Sequence, residues 1–137
     1  RSGRAPMILG LGVDIIEIKR VEQALTRRPS LLRRLFTPEE VRYCEARPGS
    51  RYAHFAGRFA AKETVAKALG RSQGWRDVAV QNNELGKPTV VLSGRAREAA
   101  EGGSIYLSIS HSRDYAVAQA VFWVPEPGQE GLPYADE

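Results

Sequence analysis

The sequence predicts an α+β domain in which helices pack on one face of a mainly antiparallel sheet. Five segments have the alternation or the β-branched composition of strands, and four have the spacing or composition of helices. Their order is βαααββαββ, and such runs of like elements favour α+β over a parallel α/β sheet. With 137 residues, 42% of them hydrophobic, the chain has the composition of a single globular domain.

The first element is a strand in 7–16, MILGLGVDII, whose two faces differ. The apolar face carries Leu9, Leu11, Val13 and Ile15, and the nearly bare face carries Gly10, Gly12 and Asp14. Glycine weakens a strand, so two glycines at this spacing indicate that a helix or a ligand lies close to that face. If the glycines only admit a helix, Asp14 is expected to cap the helix that follows.

Two helices are expected next. The first begins near Glu17, in EIKRVEQALTRR, and ends at Pro29. Its inward residues are Ile18, Val21 and Leu25. The second, in TPEEVRYCEA, has the capping-box signature of Thr37 followed by Glu40, with Pro38 at the first helical position.

The longest helix is predicted from Tyr52 to Leu69, with Gly70 as its C-terminal cap. Its apolar stripe consists of Phe55, Phe59, Ala66 and Leu69. Lys62 falls inside this stripe and Glu63 at its edge. Burying unpaired charges costs roughly several kcal/mol, so both charges should belong to a buried site. The alternative for Glu63 is an i,i+4 pair with Lys67 on the surface.

The rest of the predicted domain contains two pairs of strands with a short helix between them. DVAVQNNELGKPTVVLSG gives two strands joined by a polar turn that contains Gly86, and RAREAAEG gives the helix. SIYLSIS and YAVAQAVFWV give the last two strands, on either side of the turn HSRD.

The predicted domain covers 7–124. Residues 1–6 are interpreted as an N-terminal extension or an expression remnant, and 125–137 as a flexible acidic tail. Of the chain's 20 basic and 16 acidic residues, these ends hold two arginines and four acids, which leaves 18 against 12 in the domain and favours an anionic partner. A lone cysteine, Cys44, and the lack of an apolar run of about 20 residues lead us to expect a cytoplasmic protein that does not enter a membrane.

Asp14 and Glu63 are candidate ligands of a divalent cation that serves a polyphosphate. Mg²⁺ typically takes one or two protein carboxylates and completes its shell with water and phosphate oxygens. The basic residues on the same helix that would neutralise phosphate are Arg58, Lys62 and Lys67. His111 begins the HSRD turn and lies beside Ser110 and Ser112, whose hydroxyls, with free amides of the turn, could bind a phosphate. A lone turn histidine is nevertheless more often structural.

The order and spacing of these pieces resemble the holo-[acyl-carrier-protein] synthases, the small single-domain class of 4′-phosphopantetheinyl transferases. The matching stretches are GLGVDIIEIKRV, FAGRFAAKETVAKALG, GKP and LSISHSRDYAVAQAVF, and the resemblance covers Leu9 to Phe122. It implies transfer of phosphopantetheine from coenzyme A to a serine hydroxyl of an apo acyl carrier protein, with Mg²⁺ and release of 3′,5′-ADP. It also implies the fold of that family, a homotrimer with sites at subunit junctions, and a role in fatty acid or polyketide biosynthesis.

By this resemblance Asp14 and Glu63 are the metal ligands, and Lys67 joins them in the catalytic set. Lys62 and Lys67 match the family's paired lysines, assigned to phosphate neutralisation and to orienting Glu63, while the general base stays unassigned. The residues implied for coenzyme A binding are Arg58, Lys62, Gly86, Pro88, Ser110, His111 and Ser112. Those implied for docking of the acidic carrier are Lys19, Arg20 and Arg27, with Arg28 beside them, although these could simply form a solvated face.

Two other functions stay open on the residues alone. A nucleic-acid-binding module would explain the basic surface, but it would not explain acids that interrupt apolar faces. No aromatic platform accompanies the charge, so we expect no nucleic-acid partner. An acyltransferase that uses coenzyme A would leave the two carboxylates without a role.

The loop CEARPGSR departs from the basic loop with which the family binds the 3′-phosphate of coenzyme A. Arg47 and Arg51 are the candidate substitutes for that loop's ligands.

Overall fold

The computed structural model describes residues 6–72 and 74–125. The strands are β1 (Met7–Glu17), β2 (Val78–Asn82), β3 (Pro88–Leu92), β4 (Ser104–His111) and β5 (Tyr115–Val124). The helices are α1 (Ile18–Arg27), α2 (Leu31–Leu35), α3 (Pro38–Glu45), α4 (Arg51–Leu69) and α5 (Gly94–Ala99). Short 3₁₀ turns lie at Pro48–Ser50 and Trp75–Asp77. Apart from Pro6 and Pro125, the expectations for 1–6 and 125–137 fall outside the described residues.

The α+β prediction is confirmed. Strand β5 lies between β1 and β4 in a three-stranded sheet, β2 and β3 form a separate hairpin, and every pairing among the described strands is antiparallel. The order of elements is the predicted one with α2 added. That helix has only five residues, LLRRL, which is too short for helical periodicity to show in the sequence.

Helix α4 packs on the sheet face that carries Gly10 and Gly12. A Cβ on Gly10 would overlap the carbonyl oxygen of Ala68 and lie 2.8 Å from its carbonyl carbon, and one on Gly12 would overlap the carbonyl oxygen of Thr64. The glycines therefore admit the backbone of a helix, which was one of the two interpretations of this face.

The opposite face of β1 is apolar and exposed. Its side chains, which are between 51% and 65% exposed, are Leu9, Leu11, Val13 and Ile15. Val117 and Val121 of β5 extend the same face, since they stand opposite Ile15 and Leu11 in the ladder. All the helices that contact the sheet do so from its other side, so this face lies outside the core of the chain.

A second apolar cluster lies among the first four helices, around Phe36 and Phe55, whose rings are 5.0 Å apart. The entry to α3 is the predicted capping box, with Thr37 accepting from the Glu40 amide and Glu40 accepting from the Thr37 amide. Gly70 ends α4 in the left-handed conformation, at φ 85°. No helix among the described residues has the length and apolarity that a bilayer span requires.

Candidate active site

Asp14 and Glu63 line the same cleft. The cleft has a volume of about 600 Å³ and lies between β1, α1, the end of α2 and α4. Burial raises the pKa of the Glu63 carboxyl above its usual value, the negative charge of Asp14 raises it further, and Lys67 opposes both. The two carboxylates are therefore close enough to repel each other.

The glycine face brings these two acids together. Asp14 lies two positions after Gly12, on the same face of β1, and Thr64 of α4 packs directly on Gly12. Glu63 precedes Thr64, so the close contact of helix and strand carries its side chain to the neighbourhood of Asp14. Gly12 and Thr64 are not themselves candidate ligands, but their contact sets the positions of Asp14 and Glu63.

Lys67 joins the pair through Asp14. Its Nζ lies 3.3 Å from Oδ1 of Asp14 and donates to the carbonyl oxygen of Val13 at 3.1 Å. Lys67 therefore forms its salt bridge with Asp14. The alternative prediction, an i,i+4 pair between Glu63 and Lys67 on the helix surface, would have required a salt bridge with Glu63. The capping alternative for Asp14 is wrong, because the N-cap of α1 is Glu17.

The donor set of this site fits a hard divalent cation. Carboxylate side chains from two separate elements line one cleft, and burial first and the charge of Asp14 second raise the pKa of Glu63. A cation between them would relieve that repulsion. No cluster of three or more His, Cys, Asp or Glu side chains suited to a metal occurs among the described residues. One or two carboxylates are what Mg²⁺ typically takes from a protein.

The position of Lys62 corrects its expected role as a coenzyme A contact. Its side chain is 1% exposed, and its ammonium group lies 2.9 Å from Oε1 of Glu40. It also donates to the carbonyl oxygens of Trp75 and Val78. All three of its protons are used inside the chain, so none is available for a phosphate. Burial lowers the pKa of Lys62, while the charge of Glu40 opposes that shift.

Arg58 is also buried, at 4% exposure, and does not line the cleft. It donates to Oδ1 of Asn82, and its guanidinium lies 4.0 Å from the centre of the Tyr43 ring. Arg47 lies 3.7 Å from the same ring centre. The Tyr43 ring thus makes cation–π contacts with two guanidinium groups. No sequence motif had predicted this cluster.

The two histidines of the chain lie together. The rings of His54 and His111 are 5.5 Å apart in an edge-to-face arrangement, and Nδ1 of His54 is 2.9 Å from the carbonyl oxygen of Ser50. Burial lowers the pKa of His54, and its bond to Ser50 opposes that effect. Of the two, only His111, at the end of β4, was singled out from the sequence.

The remaining predicted contacts of coenzyme A lie apart from the acid pair within one chain. None of these residues lines the cleft: Gly86, Pro88, Ser110, His111 and Ser112. Gly86 lies in the β2–β3 turn with φ 86°, and Pro88 begins β3. The structure therefore gathers Asp14, Glu63 and Lys67 but places this second group elsewhere.

The predicted docking residues lie on the exposed side of α1. Arg20 lines the cleft, and the others nearby are exposed at the surface: Lys19, Arg27 and Arg28.

Burial raises the pKa of Cys44 to about 12, which leaves that thiol un-ionised and unsuited to act as a nucleophile.

Residues 10–120 match the model of the 4′-phosphopantetheinyl transferase superfamily. The chain belongs to this superfamily. It is 45% identical over 128 residues to the holo-[acyl-carrier-protein] synthase of Clostridium novyi (strain NT), covering 89% of this chain and 92% of that protein. It is 48% identical over 122 residues to the enzyme of the same name from Moorella thermoacetica, covering 83% and 93%.

Solved structures of holo-acyl-carrier-protein synthases share the fold. The Bacillus anthracis enzyme in complex with CoA (3′,5′-ADP) matches this transferase with a TM-score of 0.74 and 36% identity, covering 86% of this chain and 98% of that one. The Helicobacter pylori enzyme in complex with coenzyme A matches with a TM-score of 0.73 and 28% identity, covering 82% and 98%. The sequence-based prediction of a 4′-phosphopantetheinyl transferase of the holo-[acyl-carrier-protein] synthase class is confirmed.

Proposed function

We propose that this transferase moves 4′-phosphopantetheine from coenzyme A to a serine hydroxyl of an apo acyl carrier protein, with Mg²⁺ held by Asp14 and Glu63. The observation that carries the proposal is the placement of both carboxylates in a cleft whose α1 wall presents Arg20. Coenzyme A and carrier protein come from the relatives, two of which were solved with coenzyme A or its 3′,5′-ADP part. The product would be the holo carrier for fatty acid or polyketide biosynthesis.

The chemistry is a phosphoryl-type displacement. The serine oxygen forms a bond to the β-phosphorus, which carries the pantetheine, and the bond from that phosphorus to the bridging oxygen breaks. The serine proton is lost to a base, and 3′,5′-ADP leaves. When bound, Mg²⁺ supplies positive charge to the diphosphate oxygens. Lys67, half-exposed beside Asp14, is placed to neutralise charge on the same group.

A homotrimer with its sites at subunit junctions belongs to the same proposal. The second group of predicted coenzyme A contacts does not line the cleft of its own chain, so another copy would have to present it there. The exposed apolar face of β1 and β5 is a surface that association would bury.

Arg47 and Arg58, whose guanidinium groups lie at the Tyr43 ring, are the side chains we propose for binding an anionic part of the nucleotide.

The proposal is tested by incubating the protein with coenzyme A, Mg²⁺ and an apo carrier protein and then weighing the carrier. We expect a mass gain of one phosphopantetheine group, abolished by EDTA and restored by added Mg²⁺. Transfer that persists in EDTA would refute the metal's role. Absence of transfer to several apo carriers would refute the activity, and an acyl group found on the carrier would favour the acyltransferase alternative.

Arg20→Glu is expected to raise the KM for the carrier protein about tenfold while changing kcat much less. Arg20 lies on the exposed side of α1, and reversing its charge would repel an acidic partner and slow encounter. The effect should shrink at high salt, because exposed charges are screened. Arg95→Glu on α5 is the matched control, since it makes the same charge change away from the cleft. Equal carrier KM values for the two variants would contradict docking at α1.

A further inference from the structure

A buried ion pair with hydrogen bonds on both sides lies behind the cleft, not in it. Glu40 of α3 and Lys62 of α4 form an ion pair with a side-chain exposure of 0% and 1%. Lys62 directly precedes Glu63 in α4. We propose that the Glu40–Lys62 pair is a positioning device that holds the turn of α4 bearing Glu63, a role that rests on the function proposed above.

The bonding of the pair is complete on both sides. Oε1 of Glu40 accepts from Lys62 and from the Thr37 amide, and Oε2 accepts from the Val80 amide at 2.6 Å. The remaining two protons of the ammonium group go to the carbonyl oxygens of Trp75 and Val78. One pair of side chains therefore fastens α3, α4, the 3₁₀ turn at Trp75–Asp77 and the start of β2 to one another.

These bonds extend to the wall of the cleft. The Trp75 ring stacks on Phe59 with centres 5.1 Å apart and planes inclined by 20°. Phe59 lies one helical turn before Glu63, and both line the cleft. Holding the Trp75 carbonyl thus steadies the aromatic residue that supports this part of α4.

A small cavity behind Glu63 gives the helix turn room to shift. It has a volume of about 70 Å³, and its lining includes Lys62, Glu63 and Trp75. Without the ion pair, the bond from position 62 to the Trp75 carbonyl oxygen would be lost or weakened. The turn of α4 that bears Glu63 could then shift into this cavity. A shift of about 1 Å in a positioned group can cost about a hundredfold in rate.

Stability alone is a weak explanation for the pair. Replacing a buried ion pair with neutral side chains of similar volume is often neutral or stabilising. A capping box needs only one oxygen of Glu40, yet here the second oxygen and the partner lysine are both engaged. The full set of directional bonds fixes geometry, which matters most next to a metal ligand.

The test uses the double variant Glu40→Gln/Lys62→Met, which removes both charges and nearly keeps the volume. We expect kcat for transfer to fall about 10- to 100-fold, with carrier KM within about twofold of wild type. Mn²⁺ affinity of the free protein, measured by electron paramagnetic resonance without substrate, should weaken by a similar factor. Val65→Ala, a fully buried change in the same helix, is the control: it should lower the melting temperature but leave Mn²⁺ affinity unchanged.

Wild-type kcat and wild-type Mn²⁺ affinity in the double variant would overturn the proposal. If that variant gives no cooperative melt, Glu40→Gln alone decides by the same two measurements, since it keeps an oxygen for the Thr37 amide. If neither variant folds, the pair is a folding element and the proposal fails. Transfer by the wild-type protein is measured alongside, so that a failure of the proposed function is seen separately.

Discussion

Glu63→Gln is expected to lower the rate of transfer by on the order of 10²–10³-fold at saturating Mg²⁺. Glutamine keeps the size and shape of the side chain but removes one of the negative charges that line the cleft. The diphosphate would then lose much of the fixed positive charge that the metal brings to it. The measurement is kcat for the mass gain of the carrier, with Mg²⁺ varied.

The fold should survive this change. Burial and the charge of Asp14 both disfavour the charged form of Glu63, so a neutral side chain should not lower the free energy of unfolding of the metal-free protein. Thermal melting without metal is therefore expected to be unchanged or slightly higher. Glu98→Gln on α5 is the control, because Glu98 is exposed and does not line the cleft. A Glu63→Gln variant with a near-wild-type rate would show that the ligand assignment is wrong.

Gly10→Ala is expected to cost about 3 kcal/mol or more of unfolding free energy. The new methyl group would overlap the carbonyl oxygen of Ala68, and both that oxygen and the carbonyl carbon at 2.8 Å belong to the backbone of α4. No side-chain rotation can relieve the overlap, so the helix must move away from β1. Urea or guanidinium unfolding, monitored by circular dichroism, measures the loss.

The control for this substitution is Gly49→Ala. Gly49 lies in the 3₁₀ turn before α4, and no atom lies within 4 Å of a Cβ built there. Its unfolding free energy should stay within about 0.5 kcal/mol of wild type. If the two alanine variants proved equally stable, close packing of α4 on the glycine face would not be what positions the site.

Much of the secondary structure could be predicted because each element carries a local signal. Thr37 and Glu40 marked the start of α3, Gly70 marked the end of α4, and the alternation in 7–16 marked a strand with two unlike faces. The alternation did not say which face meets the core. In β1 the glycine face takes the helix and the apolar face is exposed, which depends on the packing of α4 and not on the strand itself.

The candidate site residues that could be predicted are those whose own stretch of sequence marks them. Asp14 follows two glycines on the bare face of a strand, and Glu63 lies at the edge of an apolar helix stripe. The resemblance to the family supplied the rest. The partner of Lys62 was not predictable, because Glu40 lies on another helix and its capping signature explains only one of its oxygens. Only the tertiary structure shows that Lys62, next to Glu63 in the sequence, bonds to Glu40 and to the carbonyl oxygens of Trp75 and Val78.

The most direct test of the account is anomalous diffraction from crystals grown with coenzyme A and Mn²⁺ in place of Mg²⁺. We expect a manganese peak within bonding distance of a carboxylate oxygen of Asp14, one of Glu63 and an oxygen of the diphosphate. A bound coenzyme A with no manganese between these two side chains and its diphosphate would contradict the central claim.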